Sequence, residues 1–181
     1  ISYNTDGSLI SVMTKDSARF YADDLAYGFV INTTTKEIVK WFSREYGPSI
    51  GTWSPDGNHF AFQSNFNLDW IIFFNTSTWT WETTVLNLVN NDIILSMDYS
   101  SSGEFIALCT LDKLYVYNTS TRAKIWVSDI AECLDIDWSS NSDYLGVTQS
   151  YNYGWSLGSG FWGSGDWEWY SDGGSITIYN S

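Results

Sequence analysis

Residues 94–126 read ILSMDYSSSGEFIALCTLDKLYVYNTSTRAKIW, four short apolar runs cut apart by three turn signals. Leu95 to Tyr99 alternates apolar and polar residues, and Ser100-Ser101-Ser102-Gly103 turns the chain. Phe105 to Cys109 is the second run, Leu111-Asp112-Lys113 the second turn, and Leu114 to Tyr117 the third run. Asn118-Thr119-Ser120-Thr121 turns the chain again before Lys124 to Val127. Short β-branched and aromatic runs bounded by Gly, Asn, Asp and Ser predict strands joined by hairpins. Four antiparallel strands make one up-and-down sheet. Both faces of such a sheet need cover, so it needs neighbours of its own kind.

The neighbours are present. The first turn recurs at Asn4, Ser54, Ser100 and Ser139, at spacings of 50, 46 and 39 residues. An aromatic stands before it every time: Tyr3, Trp53, Tyr99 and Trp138. The run after the turn places a small residue between two larger ones, in Ile10-Ser11-Val12, Phe60-Ala61-Phe62, Ile106-Ala107-Leu108 and Leu145-Gly146-Val147. Strand alternation sends the small side chain to the face opposite its flanks, where an adjacent sheet packs closely. The third turn recurs as Asn32-Thr33-Thr34-Thr35, Asn75-Thr76-Ser77-Thr78 and Asn118-Thr119-Ser120-Thr121, with Asn180-Ser181 in register. A four-stranded unit repeating at this period is a propeller blade. The expectation is an all-β β-propeller with about four four-stranded antiparallel blades. They span residues 1–45, 46–90, 91–130 and 131–181, and the last is incomplete.

The units resemble WD-repeat blades, and the related bacterial and archaeal blades with a Tyr-Val-Tyr-Asn-type strand end. Tyr115-Val116-Tyr117-Asn118 carries that likeness, with Asp112 just before it. The resemblance implies the fold over nearly the whole chain and says little of function. This sequence departs from the family in two ways. No Gly-His pair opens each blade, His59 being the single histidine, and Asn replaces the terminal Asp.

Composition narrows the function classes. The net charge of −13 leaves no electrostatic footprint for nucleic acid or anionic membranes. No run is long and apolar enough to span a bilayer as a helix. Charged residues make up 16% and aromatics 18%, so Ser, Thr, Asn and Gln supply most of the polar surface. The chain opens on Ile1 inside an expected strand and stops inside the fourth blade. This is the expectation for a processed chain or a part of something longer.

Catalysis finds no support in the motifs. A Ser-His-Asp triad would have to use His59, and no nucleophile elbow is present. Asp16, Asp23 and Asp24 share one loop, but their spacing is not a calcium loop's, and a solvated loop is the plainer reading. No cofactor or metal is expected. Trp79 and Trp81 alternate with Thr80 and Glu82 and are expected on the outer strand of blade two, partly buried on the blade edge, with a ligand platform as the alternative. Cys109 and Cys133 are too few for a disulfide framework. They end up on one face of adjacent blades, where a bridge is geometrically allowed and free buried thiols are the alternative.

Two features point outward. Asn32, Asn75 and Asn118 each open an Asn-x-Ser/Thr sequence on one face of the disc, a glycosylation acceptor and also ordinary turn chemistry. Residues 151–174 read YNYGWSLGSGFWGSGDWEWYSDGG, an insertion between strands two and three of blade four. Trp155, Trp162, Trp167 and Trp169 there are candidates for a partner or ligand face, with a self-packed hairpin as the alternative. The expected function is a non-enzymatic extracellular interaction or structural module, an oligomeric glycoprotein meeting further blades or neighbouring subunits by strand addition. The alternative is a carbohydrate-binding propeller whose insertion tryptophans stack on sugars.

Overall fold

The computed structural model describes residues 1–13, 28–42, 48–64, 70–82, 86–87, 93–130, 133–149, 154–155, 169–170 and 175–180. These residues form strands and turns, with no helix among them. The first sheet is β1 (Ser2–Tyr3), β2 (Leu9–Met13), β3 (Gly28–Asn32) and β4 (Ile38–Phe42), in that order. The second is β5 (Pro48–Trp53), β6 (His59–Ser64), β7 (Trp70–Asn75) and β8 (Thr80–Trp81), with β9 (Leu86–Asn87) also on β7. The third is β10 (Ser96–Tyr99), β11 (Phe105–Cys109), β12 (Lys113–Asn118) and β13 (Lys124–Asp129). The fourth sheet opens with β14 (Cys133–Trp138) and β15 (Tyr144–Gln149). A separate small hairpin, β16 (Gly154–Trp155) with β17 (Trp169–Tyr170), precedes its third strand β18 (Ser175–Asn180). All pairings are antiparallel, and each sheet meanders in chain order, as blades do.

One correction concerns blade two. Trp79 is not on the outer strand. It lies in the third turn at φ 54°, and the strand starts at Thr80. Lys36 (φ 63°) and Arg122 (φ 59°) hold the same left-handed position in blades one and three. A four-residue Asn turn needs this conformation to re-enter the sheet, so an alternating pattern on paper hides a turn residue.

Both recurrent turns are built by their own side chains. In the first turn the amides of Asn4, Ser54, Ser100 and Ser139 donate to the carbonyls five residues on. Its left-handed residue is Gly7, Gly57 or Gly103, with Ser142 (φ 65°) in blade four. In the third turn the Oδ1 of Asn32, Asn75 and Asn118 each accepts two backbone amides, two and three residues on, at 2.9–3.1 Å. The next residue ties the two turns together. Thr33, Thr76 and Thr119 donate Oγ1 to the carbonyls of Gly7, Gly57 and Gly103 at 2.6–2.7 Å.

The core sits at the seams between sheets. At the first seam Val30 and Phe42 of blade one meet Trp53, Phe60, Phe62, Ile72 and Phe74 of blade two. At the second, Ala61, Ile71 and Phe73 meet Met97, Tyr99, Ile106, Leu108, Tyr115 and Tyr117. At the third, Ala107, Cys109, Leu114 and Val116 meet Cys133, Ile136, Trp138, Leu145 and Val147. The small residue of each triplet therefore faces the following blade, and its large flanks face the preceding one. Tyr99 and Trp138, the aromatics before the first turns of blades three and four, join the clusters of Ala61 and Ala107 in the blades before them. Close approach also governs Gly51 on β5, where a Cβ would lie 2.5 Å from Phe60 Cζ and 2.9 Å from the Ala61 carbonyl.

The seams differ in one polar detail. Trp53 Nε1 donates to Ser11 Oγ at 3.2 Å and to the Ser2 carbonyl at 3.3 Å. Trp138, 8% exposed, has a buried Nε1 with no partner among the described residues. The cause is a substitution between repeats, because Ala107 stands where Ser11 stands. A buried donor left unpaired costs about 1–3 kcal/mol. Ala107→Ser should therefore raise stability by about 1 kcal/mol. A higher urea midpoint at unchanged m-value is the expected outcome. A lower midpoint would show that the third seam has no room for the hydroxyl.

Candidate functional site

A polar cleft lies between blades two and three, on the face of the first and third turns. Its volume is about 390 Å³, and Asp56, His59, Glu82, Tyr99, Ser102 and Arg122 contribute to its walls. Asp56, His59, Ser102 and Arg122 sit on or beside the turns just described, Tyr99 ends β10, and Glu82 follows β8. His59 opens β6 directly after the first turn, and its amide donates to Ser54 Oγ at 2.9 Å. Asp56 Oδ1 accepts from Ser54 Oγ at 2.6 Å and from the Asn58 amide at 3.0 Å. Burial pushes the Asp56 carboxyl up, but those donors outweigh it and hold it below the ordinary value. Arg122 occupies the left-handed position of the third turn of blade three.

From there Arg122 reaches across the seam. Its guanidinium lies 3.5 Å from the ring centroid of Phe73 in blade two, pairs with Glu82, and donates to the Thr119 carbonyl. Glu82 also receives His59 Nε2 at 2.8 Å. One carboxylate thus binds a histidine of its own blade and an arginine of the next. Burial raises the Tyr99 phenol well above its usual range, so it stays a neutral donor and acceptor in the cleft. The arrangement orients hydrogen-bonding groups around a fixed ion pair. No nucleophile is aligned with His59 among the described bonds.

The third seam carries a different charge problem. Asp98 on β10 accepts the Trp138 amide at 3.1 Å, and Ser96 Oγ donates to Asp135 at 2.8 Å. Burial pushes the Asp98 carboxyl up to about 6, against the pull of the Trp138 amide, and the nearby Asp137 charge adds to the rise.

The residues singled out from the sequence fall at separate places. Asn32, Asn75 and Asn118 are half-buried on the turn face. Their described hydrogen bonds use Oδ1, not the Nδ2 that a glycan would take. Cys109 and Cys133 form a disulfide with a Cα–Cα distance of 6.1 Å, joining the end of β11 to the start of β14. Trp155 and Trp169 stand opposite one another in the β16–β17 hairpin. Trp162 and Trp167 lie outside the described residues, as do Asp16, Asp23 and Asp24. Trp81, 48% exposed, and Trp41, 58% exposed, line a second cleft of about 360 Å³ between the outer strands of blades one and two. Sequence reasoning missed Arg122, Glu82 and Asp98. Arg122 had a signal, since it follows an Asn turn at the position Trp79 holds one blade earlier.

Two outcomes test this geometry. Arg122→Ala should cost roughly 1.5–3 kcal/mol by urea unfolding, since a charge-assisted bond and a ring contact go together. Arg122→Lys should recover less than half of that, because an ammonium keeps the charge but not the planar stack. For Asp98 the folded value lies above the ordinary 3.8, so the folded state holds the proton more tightly. Its contribution is most favourable below pH 4 and is lost as pH rises to about 6. Asp98→Asn keeps an acceptor for the Trp138 amide without the charge. It should leave stability at pH 4 nearly unchanged and raise it at pH 7 by roughly 1–2 kcal/mol. Parallel stability–pH curves for both proteins would contradict the assignment.

Comparison with known proteins bears on the fold. No family model matches the sequence, and no curated protein matches it. Solved structures do. The chain is similar to Kuenenia stuttgartiensis hydrazine synthase, with TM-score 0.63 and 11% identity, over 82% of this chain and 40% of that one. It is also similar to the β-propeller domain of Myceliophteria thermophila Cps50 (Swd1), with TM-score 0.60 and 13% identity, over 80% of this chain and 46% of that one. The match thus spans less than half the length of either neighbour, and at such identity the likeness is one of fold: these sheets are blades of a β-propeller.

Proposed function

We propose that this chain is a non-enzymatic, extracellular interaction module of WD-repeat type, whose blades hold fixed surfaces for protein partners. The observation that carries the reading is the locking of the turns of blades one to three by their own Asn, Ser and Thr side chains. Such turns hold a surface in one shape before binding, which lowers the ordering cost of association. Three glycosylation sequences at one structural position, few lysines and the Cys109–Cys133 bridge support an oxidising, extracellular setting. A second reading is carbohydrate binding. The exposed indoles of Trp41 and Trp81 at one cleft favour it, together with the paired Trp155 and Trp169.

Secreted expression in a glycosylating cell tests the proposal. The expected peptide map, without reductant, links Cys109 to Cys133, and the intact mass falls on deglycosylation. Cross-linking in conditioned medium should join proteins to the turn face, while a glycan array stays blank. Two free thiols and an unglycosylated mass would remove the extracellular setting. An array signal competed by free sugar would put the second reading in place of the first.

A further inference from the structure

The polar cleft between blades two and three holds two acceptors that its own bonds leave unused. The ring of Tyr99 is packed in the second seam, and the residue is only 6% exposed. Its phenol oxygen nevertheless makes no hydrogen bond among the described residues. Buried hydroxyls are normally partnered, so this one is an exception. The oxygen faces the cleft, because the charges that act on it are those of Arg122, Glu82 and Asp56, all in the cleft wall. The second acceptor is on Asp56. Glu82 is already committed to His59 and Arg122, whereas Asp56 has no ion pair among the described residues. Its neighbours are neutral donors. Oδ1 takes Ser54 Oγ and the Asn58 amide, and Oδ2 takes Asn58 Nδ2 at 2.9 Å. Two donors fill Oδ1, so one lone pair is left on Oδ2. Those same donors keep the carboxyl ionised at neutral pH.

We propose that this cleft binds one primary ammonium group, the side chain of a lysine on a partner protein, with Asp56 Oδ2 and the Tyr99 phenol oxygen as its acceptors. The partner's being a protein rests on the interaction-module reading; the chemistry of the site does not. A cation fits because the carboxylate without an ion pair is the charge left over. An anion does not, since Arg122 and His59 are both held by Glu82 and an anion would meet the Asp56 charge. An ammonium fits better than a guanidinium. Arginine needs two parallel acceptors on one carboxylate, and with Oδ1 filled Asp56 offers no such fork. An ammonium is a point charge with three separate donors, which suits two acceptors on different side chains. Both acceptors belong to ordered parts of the fold, Asp56 through its turn bonds and Tyr99 through its buried ring, so little ordering is left to binding.

Amide NMR spectra of the 181-residue chain, titrated with Nα-acetyl-lysine N-methylamide at neutral pH and physiological salt, test it. The expected result is a saturable shift at the amides of Asp56, Tyr99 and Ser102, with a dissociation constant on the order of 1 mM for so small a probe. The same probe acetylated on its side-chain nitrogen loses the charge and should bind roughly tenfold more weakly or not at all. Tyr99→Phe removes the oxygen and keeps the ring in the seam. It should weaken the probe about tenfold while the urea midpoint stays the same or rises. Asp56→Asn keeps an oxygen for Ser54 and the Asn58 amide and should weaken the probe by about as much. No saturable shift at millimolar probe would overturn the proposal. So would equal binding of the acetylated probe, or binding that Tyr99→Phe leaves unchanged. None of these outcomes touches the module reading, which is judged by cross-linking in conditioned medium. Loss of those cross-links with the titration intact would remove the module and leave the ammonium site standing.

Discussion

Close packing of an aromatic ring against a small side chain, once per seam, is the constraint on which the other features depend. Sheets pack about 10 Å apart only when large side chains on one face meet smaller volume on the other. Here the large pair and the small residue between them come from a single strand, so one triplet serves two seams at once. Phe60 and Phe62 close the first seam while Ala61 opens the second. A branched or aromatic residue at Ala61 or Ala107 would therefore force open the seam that the small side chain faces, while the flanking residues still closed the other. The Nε1 bond at Trp53, with no counterpart described at Trp138, shows how far the seams tolerate variation in polarity once volume is satisfied.

Side-chain oxygens take the role that charge takes in other proteins. With 16% charged residues, the turns are held by Asn Oδ1 and Thr Oγ1, which are local, neutral and insensitive to salt. Two of the charges bridge blades. Arg122 belongs to blade three yet its partners Glu82 and Phe73 belong to blade two. Asp98 belongs to blade three and accepts the amide of blade four. The same Asn-x-Ser/Thr sequences that invite glycosylation are thus also structural. Their Oδ1 holds the turn, and a glycan on Nδ2 would leave that acceptor in place.

The fold could be read without coordinates, whereas the polar cleft between blades two and three could not. Strand runs, turn positions and the small-between-large triplets were legible because period-two alternation and turn chemistry are local properties of the chain. The choice of face for Ala61 and Ala107 followed from the same alternation. The turn role of Asn32, Asn75 and Asn118 was legible for the same reason. Trp79 was misplaced because a left-handed turn residue carries no composition signal unless it is glycine.

The sequence by itself determined that four similar sheets exist and which strand faces need neighbours. Only the tertiary structure decided which charges meet. Glu82 and Arg122 are 40 residues apart, and so are Asp98 and Trp138. Nothing local couples them. Their pairing depends on the relative rotation of two blades, which the aromatic-on-small contact sets. The raised Asp98 carboxyl and the orphaned Trp138 indole are likewise products of burial at a seam, and burial is a property of the assembled blades rather than of any stretch of chain.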